Sequence, residues 1–118
     1  MIQTTPHMRV LVARDPIDFR KRGKGTAAVV RLALEQDPLS GVLFIFRSRN
    51  GKSIRLMIYD GQGSWCMDKT LSVGSFRHWS GFTEGARAQS IEPHQLQLLI
   101  MAGDWANTVF PGYWRKLK

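Results

Sequence analysis

Residues 42–71, VLFIFRSRNGKSIRLMIYDGQGSWCMDKTL, carry the reading on which the fold depends. Val42 to Ser48 is rich in β-branched and aromatic side chains and reads as a strand. Asn50-Gly51 is a strong two-residue hairpin signal, since both residues accept the left-handed backbone of a tight turn. Ser53 to Tyr59 returns as a second strand, Asp60-Gly61-Gln62-Gly63 turns again, and Ser64 to Leu71 makes a third strand. The two turns define a register. With Asn50-Gly51 as the first, Arg49 opposes Lys52, Ile45 opposes Leu56 and Leu43 opposes Ile58. With Gly61-Gln62 as the second, Ile58 opposes Trp65, Leu56 opposes Met67 and Arg55 opposes Asp68. One face then collects Leu43, Ile45, Leu56, Ile58, Trp65 and Met67, the expected core beneath the helix that precedes the sheet. The other face collects Phe44, Phe46, Arg55, Met57, Tyr59 and Cys66. A slip of one residue exchanges the faces, so the assignment stands on the turns.

Outward from this core, Met8 to Ala13 reads as a short first strand able to join the sheet edge, ended by Pro16. Asp18 to Gly25 reads as a loop. A helix is expected from about Thr26 to Gln36, with Val29, Leu32 and Ala33 on its buried stripe, and Asp37-Pro38 stops it. Phe76 to Trp79 is a candidate fourth strand, and Gly81 to Gln89 a surface loop. Pro93 to Ala102 reads as a second helix, with proline in its first turn and Gly103 just beyond its end. The expected fold is α+β: an antiparallel three- to four-stranded β-meander with one helix before it and one helix after it. Residues 1–118 form one domain in this reading, with the core at about 8–105 and an aromatic and basic tail at 106–118.

The 118 residues are 43% hydrophobic, enough for one core and too few for two. Seventeen Lys and Arg face nine Asp and Glu, a formal charge of +8. Such a balance favours polyanionic partners, because each phosphate contact releases counterions. Cys66 is the only cysteine, so no intramolecular disulfide forms and a reducing cytoplasm is the expected compartment. Met1 to Met8 has no apolar signal core, and no segment has the roughly 18 consecutive apolar residues of a membrane span.

Two basic clusters stand out. Arg20, Lys21, Arg22 and Lys24, with Arg14 just before them, precede the first helix, where side chains and free backbone N–H groups meet phosphate readily. Arg47, Arg49, Lys52 and Arg55 surround the first hairpin tip. A solvated loop and an edge guarded by charge are the plainer readings of the same residues. The partly apolar outer face with Arg55 and Tyr59 resembles a base-stacking surface, but also suits burial by the C-terminal helix or a second subunit. Catalytic signals are weak. His7, His78 and His94 lack metal-ligand spacing, no Gly-rich phosphate loop occurs, and Cys66 reads as a buried structural thiol. Convergence of Asp15, Asp18 and Asp60 on magnesium is the requirement for a small metal-dependent nuclease. No catalytic residue, metal site or cofactor is assigned.

An ordered string of motifs then adds context: Arg9-Val10-Leu11-Val12-Ala13, Asp18-Phe19-Arg20-Lys21, Asp37-Pro38-Leu39-Ser40-Gly41, Leu43-Phe44-Ile45-Phe46-Arg47, Asp60-Gly61-Gln62-Gly63, Gln95-Leu96 and Gly103-Asp104-Trp105. Together, over about residues 8–105, they resemble the TnpB-type accessory proteins encoded by the second open reading frame of the insertion sequence sixty-six family of bacterial transposable elements. The resemblance implies a transposon- or plasmid-borne protein that assists movement of its element, while a separate, larger transposase cuts and joins DNA. Three departures occur. Arg22-Gly23-Lys24-Gly25 stands where the family usually has Gly-Phe-Asp-Gly, Ile58-Tyr59 where it has a Trp pair, and Glu92 where it has Thr. The first replaces an acid by a base. The leading expectation is therefore a non-catalytic accessory protein that binds DNA through Arg20, Lys21, Arg22, Lys24, Arg47, Arg49, Lys52 and Arg55. The alternative is an adaptor that docks on the transposase through Tyr59 or Trp114. Self-association is left open, and a membrane partner is not expected.

Overall fold

Val10-Leu11-Val12-Ala13 and Leu43-Phe44-Ile45-Phe46 are apolar at every position, the pattern of strands covered on both faces. The computed structural model, which describes residues 9–20 and 22–106, places these two runs side by side at the centre of a five-stranded sheet. The elements are β1 (Val10–Ala13), α1 (Gly23–Leu32), β2 (Leu43–Arg47), β3 (Ser53–Tyr59), β4 (Ser64–Thr70), β5 (Ala88–Ile91) and α2 (Pro93–Ile100). Strand order across the sheet is β4-β3-β2-β1-β5.

The meander forms in the expected register, with Ile45 opposite Leu56, Ile58 opposite Trp65, Leu56 opposite Met67 and Arg55 opposite Asp68. Other features of the sheet correct the expectation. It is mixed, because β1 lies parallel to β2 with Val10 beside Leu43, so it is no pure antiparallel meander. The loop expected at Gly81 to Gln89 ends in a strand, β5, which pairs antiparallel to β1 with Ala13 opposite Ala88. Phe76 to Trp79 forms no strand; Phe76 instead buries its ring in the core while its amide donates to the Gly51 carbonyl at 2.7 Å. Helix α1 starts at Gly23 and stops at Leu32, earlier than expected, and Glu35 soon after adopts φ +54°, a left-handed conformation that turns the chain back.

The helices also cover the opposite faces from those expected. Helix α1 packs Val30 onto Leu11, Ala13, Phe44, Phe46 and Met57. Helix α2 packs Leu96 and Leu99 onto Val10, Val12, Leu43, Ile45 and Ile54, with Trp105 closing that side. The cause lies in the parallel pair. A β–α–β crossover between neighbouring parallel strands is almost always right-handed, and that handedness selects the face for the helix. Without β1 beside β2, the meander alone does not choose. Among the described residues no helix is long and apolar enough to cross a membrane.

Strand β4 is an edge, and all seven of its residues are exposed. Cys66, on this edge strand, is therefore an exposed thiol rather than the buried one expected. The turn leading into β4 is organised by Asp60. Its carboxylate accepts from the amides of Gly63 and Gln62, both at 2.9 Å, and from the Trp65 indole at 2.8 Å. These bonds, the Gly63 amide first, hold the carboxyl down at about 2. A lowered folded-state pKa stabilises the protein above the unfolded value near 3.9 and ceases to do so as the pH falls toward the folded value. Acid titration followed by tryptophan fluorescence is expected to give a flatter curve for Asp60→Ala than for the parent below about pH 4. Unchanged curves would contradict this account of the turn.

Candidate nucleic-acid interface

Because β1 and β2 are parallel, both leave the sheet at one end, where β3 and β5 begin. The chain after β1 stays there: the Ile17 amide donates to the Arg47 carbonyl at 3.0 Å, and the Arg14 amide donates to the Arg87 carbonyl at 2.9 Å. The start of α1 joins the same end through Gly25 and Thr26, which share a hollow with Arg49 and Arg87. The carboxyl ends of parallel strands are where open α/β sheets characteristically bind ligands.

The topology therefore gathers cations. Arg14, Arg20, Arg22, Lys24, Arg49, Lys52 and Arg87 are all exposed in these loops or their flanks. The nearby acids, Asp15 and Asp18, are already occupied. Arg14 contacts Asp15 at 3.1 Å, and Arg20 contacts Asp18 at 2.8 Å. Side-chain hydrogen bonds from these arginines hold both carboxyls below their usual range. Among the described residues Arg22, Lys24, Arg49 and Lys52 make no ion pair. The first turn of α1 contains no acid, and Arg22 at its N-cap makes no side-chain cap, so the positive end of the helix adds to the same field.

Of the residues expected to meet DNA, Arg20, Arg22, Lys24, Arg49 and Lys52 are thus brought to one end of the molecule. Lys21 and Trp114 lie outside the described residues. Two arginines belong elsewhere. Arg55 is fully buried on the α1 face, where Nε and Nη2 donate to Asp68 at 2.7 and 2.9 Å. Its Nη1 donates to Thr26 Oγ1 at 3.0 Å, and Nη2 also donates to the Phe19 carbonyl at 2.9 Å. Arg55 is a cross-link between α1, β3 and β4, and it is removed from the surface set. Arg47 is half-buried on the α2 face, donating to the Phe76 carbonyl at 3.0 Å with its guanidinium carbon 5.2 Å from the Trp79 ring centroid. Tyr59 is half-buried too, its hydroxyl donating to the Gly61 carbonyl at 3.2 Å. Arg87 joins the basic end unforeseen, since the strand it introduces has the weak signature Ala-Gln-Ser-Ile.

Two hollows lie between these cations. One, of about 470 Å³, is lined by Ala13, Val29 and Leu34 along with Arg87, and the other, of about 540 Å³, by Phe19, Arg20 and Arg22. Ile17, Asp18 and Arg49 line both. Asp60 sits at the β3–β4 turn, at the far end of the sheet from Asp15 and Asp18, so these acids do not converge. Among the described residues no three His, Cys, Asp or Glu side chains are grouped to hold a metal ion.

The family model described as IS66 Orf2 like protein matches residues 8–109. An uncharacterized protein of Sinorhizobium fredii, y4jC, is 34% identical over 105 residues, covering 89% of this chain and 87% of the relative. A second from the same organism, y4hO, is 36% identical over 105 residues, covering 89% of each chain. No solved structure matches the chain.

Proposed function

We propose, from the premise that the chain belongs to the IS66 Orf2-like family, that it is a non-catalytic accessory protein of transposition that binds DNA through the basic end of its sheet. The observation supporting this reading is the collection of Arg22, Lys24, Arg49 and Lys52, free of ion pairs among the described residues, beside the uncapped start of α1. Cations so placed contact phosphate at little cost, since no internal acid has to be released first.

A salt titration of binding tests it. Replacing Arg22, Lys24, Arg49 and Lys52 together by Ala is expected to weaken binding at least 100-fold at low salt. It also flattens the slope of log K against log salt by about 3 to 4, roughly one unit per lost phosphate contact. Binding that is absent at low salt, or whose slope is unaltered in the variant, would remove the reading.

A second reading, docking on the separate transposase, is favoured by the open edge of β4, where Trp65 and Met67 are 44% and 40% exposed. An unpaired strand edge beside exposed apolar side chains suits strand addition by a partner. Co-purification with the transposase that survives nuclease treatment and is lost on Trp65→Ser favours docking; loss on nuclease treatment favours a DNA bridge.

A further inference from the structure

The basic end carries shallow, partly apolar hollows, and these bear on which form of DNA it fits. The backbone of a closed duplex is read by exposed cations and hydrogen-bond donors, with no need for an apolar floor. Here the hollows bring Ile17, Val29, Leu34 and Phe19 between the cations. Phe19 is held twice by one side chain. Arg55 donates to its carbonyl at 2.9 Å, and the Arg55 guanidinium carbon lies 4.4 Å from its ring centroid. Phe19 is half-buried, packs against the core on the α1 face and lines the hollow of about 540 Å³ with Arg20, Arg22 and Arg49. A fixed aromatic ring bordered by cations has the composition of a single-strand site, the ring for a base and the cations for its phosphates.

We propose that this cleft takes unpaired DNA, a strand end or a single-stranded stretch, with a base on Phe19 and the flanking phosphates on Arg22 and Arg49. The proposal rests on the DNA-binding reading above and specifies the form of DNA. Arg55 is then a positioning residue, buried away from DNA and fixing the platform from behind.

Fluorescence anisotropy with the full chain tests it, using one labelled oligonucleotide as a single strand and as a duplex with its complement, at the same salt. The single strand is expected to bind about tenfold tighter or more. Phe19→Leu is expected to weaken single-strand binding about tenfold, the scale of one lost base stack, and duplex binding much less. Phe19→Tyr, which keeps the ring and controls for folding, retains the preference. Duplex binding equal to or tighter than single-strand binding overturns the proposal while sparing DNA binding itself. So does equal weakening of both forms by Phe19→Leu, or loss of the preference in Phe19→Tyr. Displacement of the single strand by polyglutamate at equal charge concentration also overturns it, since the cleft then answers to charge alone. Failure of both forms to bind at low salt overturns the DNA-binding reading instead.

Discussion

Asp68→Ala is expected to lower the unfolding free energy by about 3–5 kcal/mol, more than Arg55→Met does, although Asp68 is the more exposed member of the pair. The side chains are 31% and 1% exposed respectively. A guanidinium does not lose its proton in proteins, so it has no neutral form to retreat to. Removing Asp68 takes away the carboxylate that Nε and Nη2 of this buried cation both contact, while the bonds to Thr26 and the Phe19 carbonyl remain. Removing Arg55 instead leaves an acid on the edge strand, where water reaches it, and methionine fills much of the vacated stem. That loss is about 1–3 kcal/mol, the scale of deleting hydrogen bonds to a charged group and stranding a carbonyl. Urea denaturation of the two variants measures both values, and the reverse order would show that the pair does not behave as a buried cation with a solvated acid. The milder variant has a second consequence. Arg55→Met releases Phe19 and the first turn of α1, so its DNA affinity is expected to fall although no surface cation has changed.

The same pair shows what the sequence made legible. The turns at Asn50-Gly51 and Asp60 to Gly63 were strong enough to specify the pairing of β2, β3 and β4, including Arg55 opposite Asp68. An arginine and an aspartate paired on a face with Phe44, Phe46 and Met57 carry the signature of a buried ion pair. Taken by itself Arg55 nevertheless reads as a surface cation, because its burial follows only from the acid opposite it in the register. The parallel partnership of β1 with β2 was not legible for a different reason. A hairpin announces itself in its turn, whereas a parallel pair is joined only through a distant crossover that leaves no local signal. β5 was missed because Ala88-Gln89-Ser90 is weakly strand-forming and owes its conformation to the ladder that β1 offers. Those two errors had one effect on the site. Clusters on separate loops were visible, but their meeting at one end of the sheet, with Arg87 added, followed only from the strand order.

Trp105→Ala is expected to cost about 3–5 kcal/mol, the scale of emptying a large aromatic site in a core. Trp105 is 2% exposed and meets Trp79 and Phe82 edge-on, with centroids 5.8 and 5.9 Å away. Trp79 in turn donates to the Ala13 carbonyl at 2.9 Å and lies under the Arg47 guanidinium. The ring therefore seals the α2 face and links it to the end of β1, where the basic loops begin. Gln95 Nε2 donates to the Trp105 carbonyl at 3.1 Å, which ties this segment back onto α2. The residue that follows Trp105 is closely packed as well: a Cβ added to Gly81 would lie 2.8 Å from the Ala106 methyl. Trp105→Phe is expected to be much milder, losing less than about 2 kcal/mol. Among the described residues the buried indole Nε1 has no hydrogen-bond partner, so the smaller ring gives up packing but also sheds that donor, itself a cost of about 1–3 kcal/mol when unsatisfied. Chemical denaturation of the two variants separates these terms, and equal losses would mean that the donor is satisfied in solution. Truncation carries the same logic to the chain's end. A chain ending after Gly103 should be as unstable as Trp105→Ala, whereas one ending after Ala106 keeps the Trp105 ring and should melt at a clearly higher temperature than the shorter one. If the longer truncation melts like the shorter one, Trp105 is not the seal of this face.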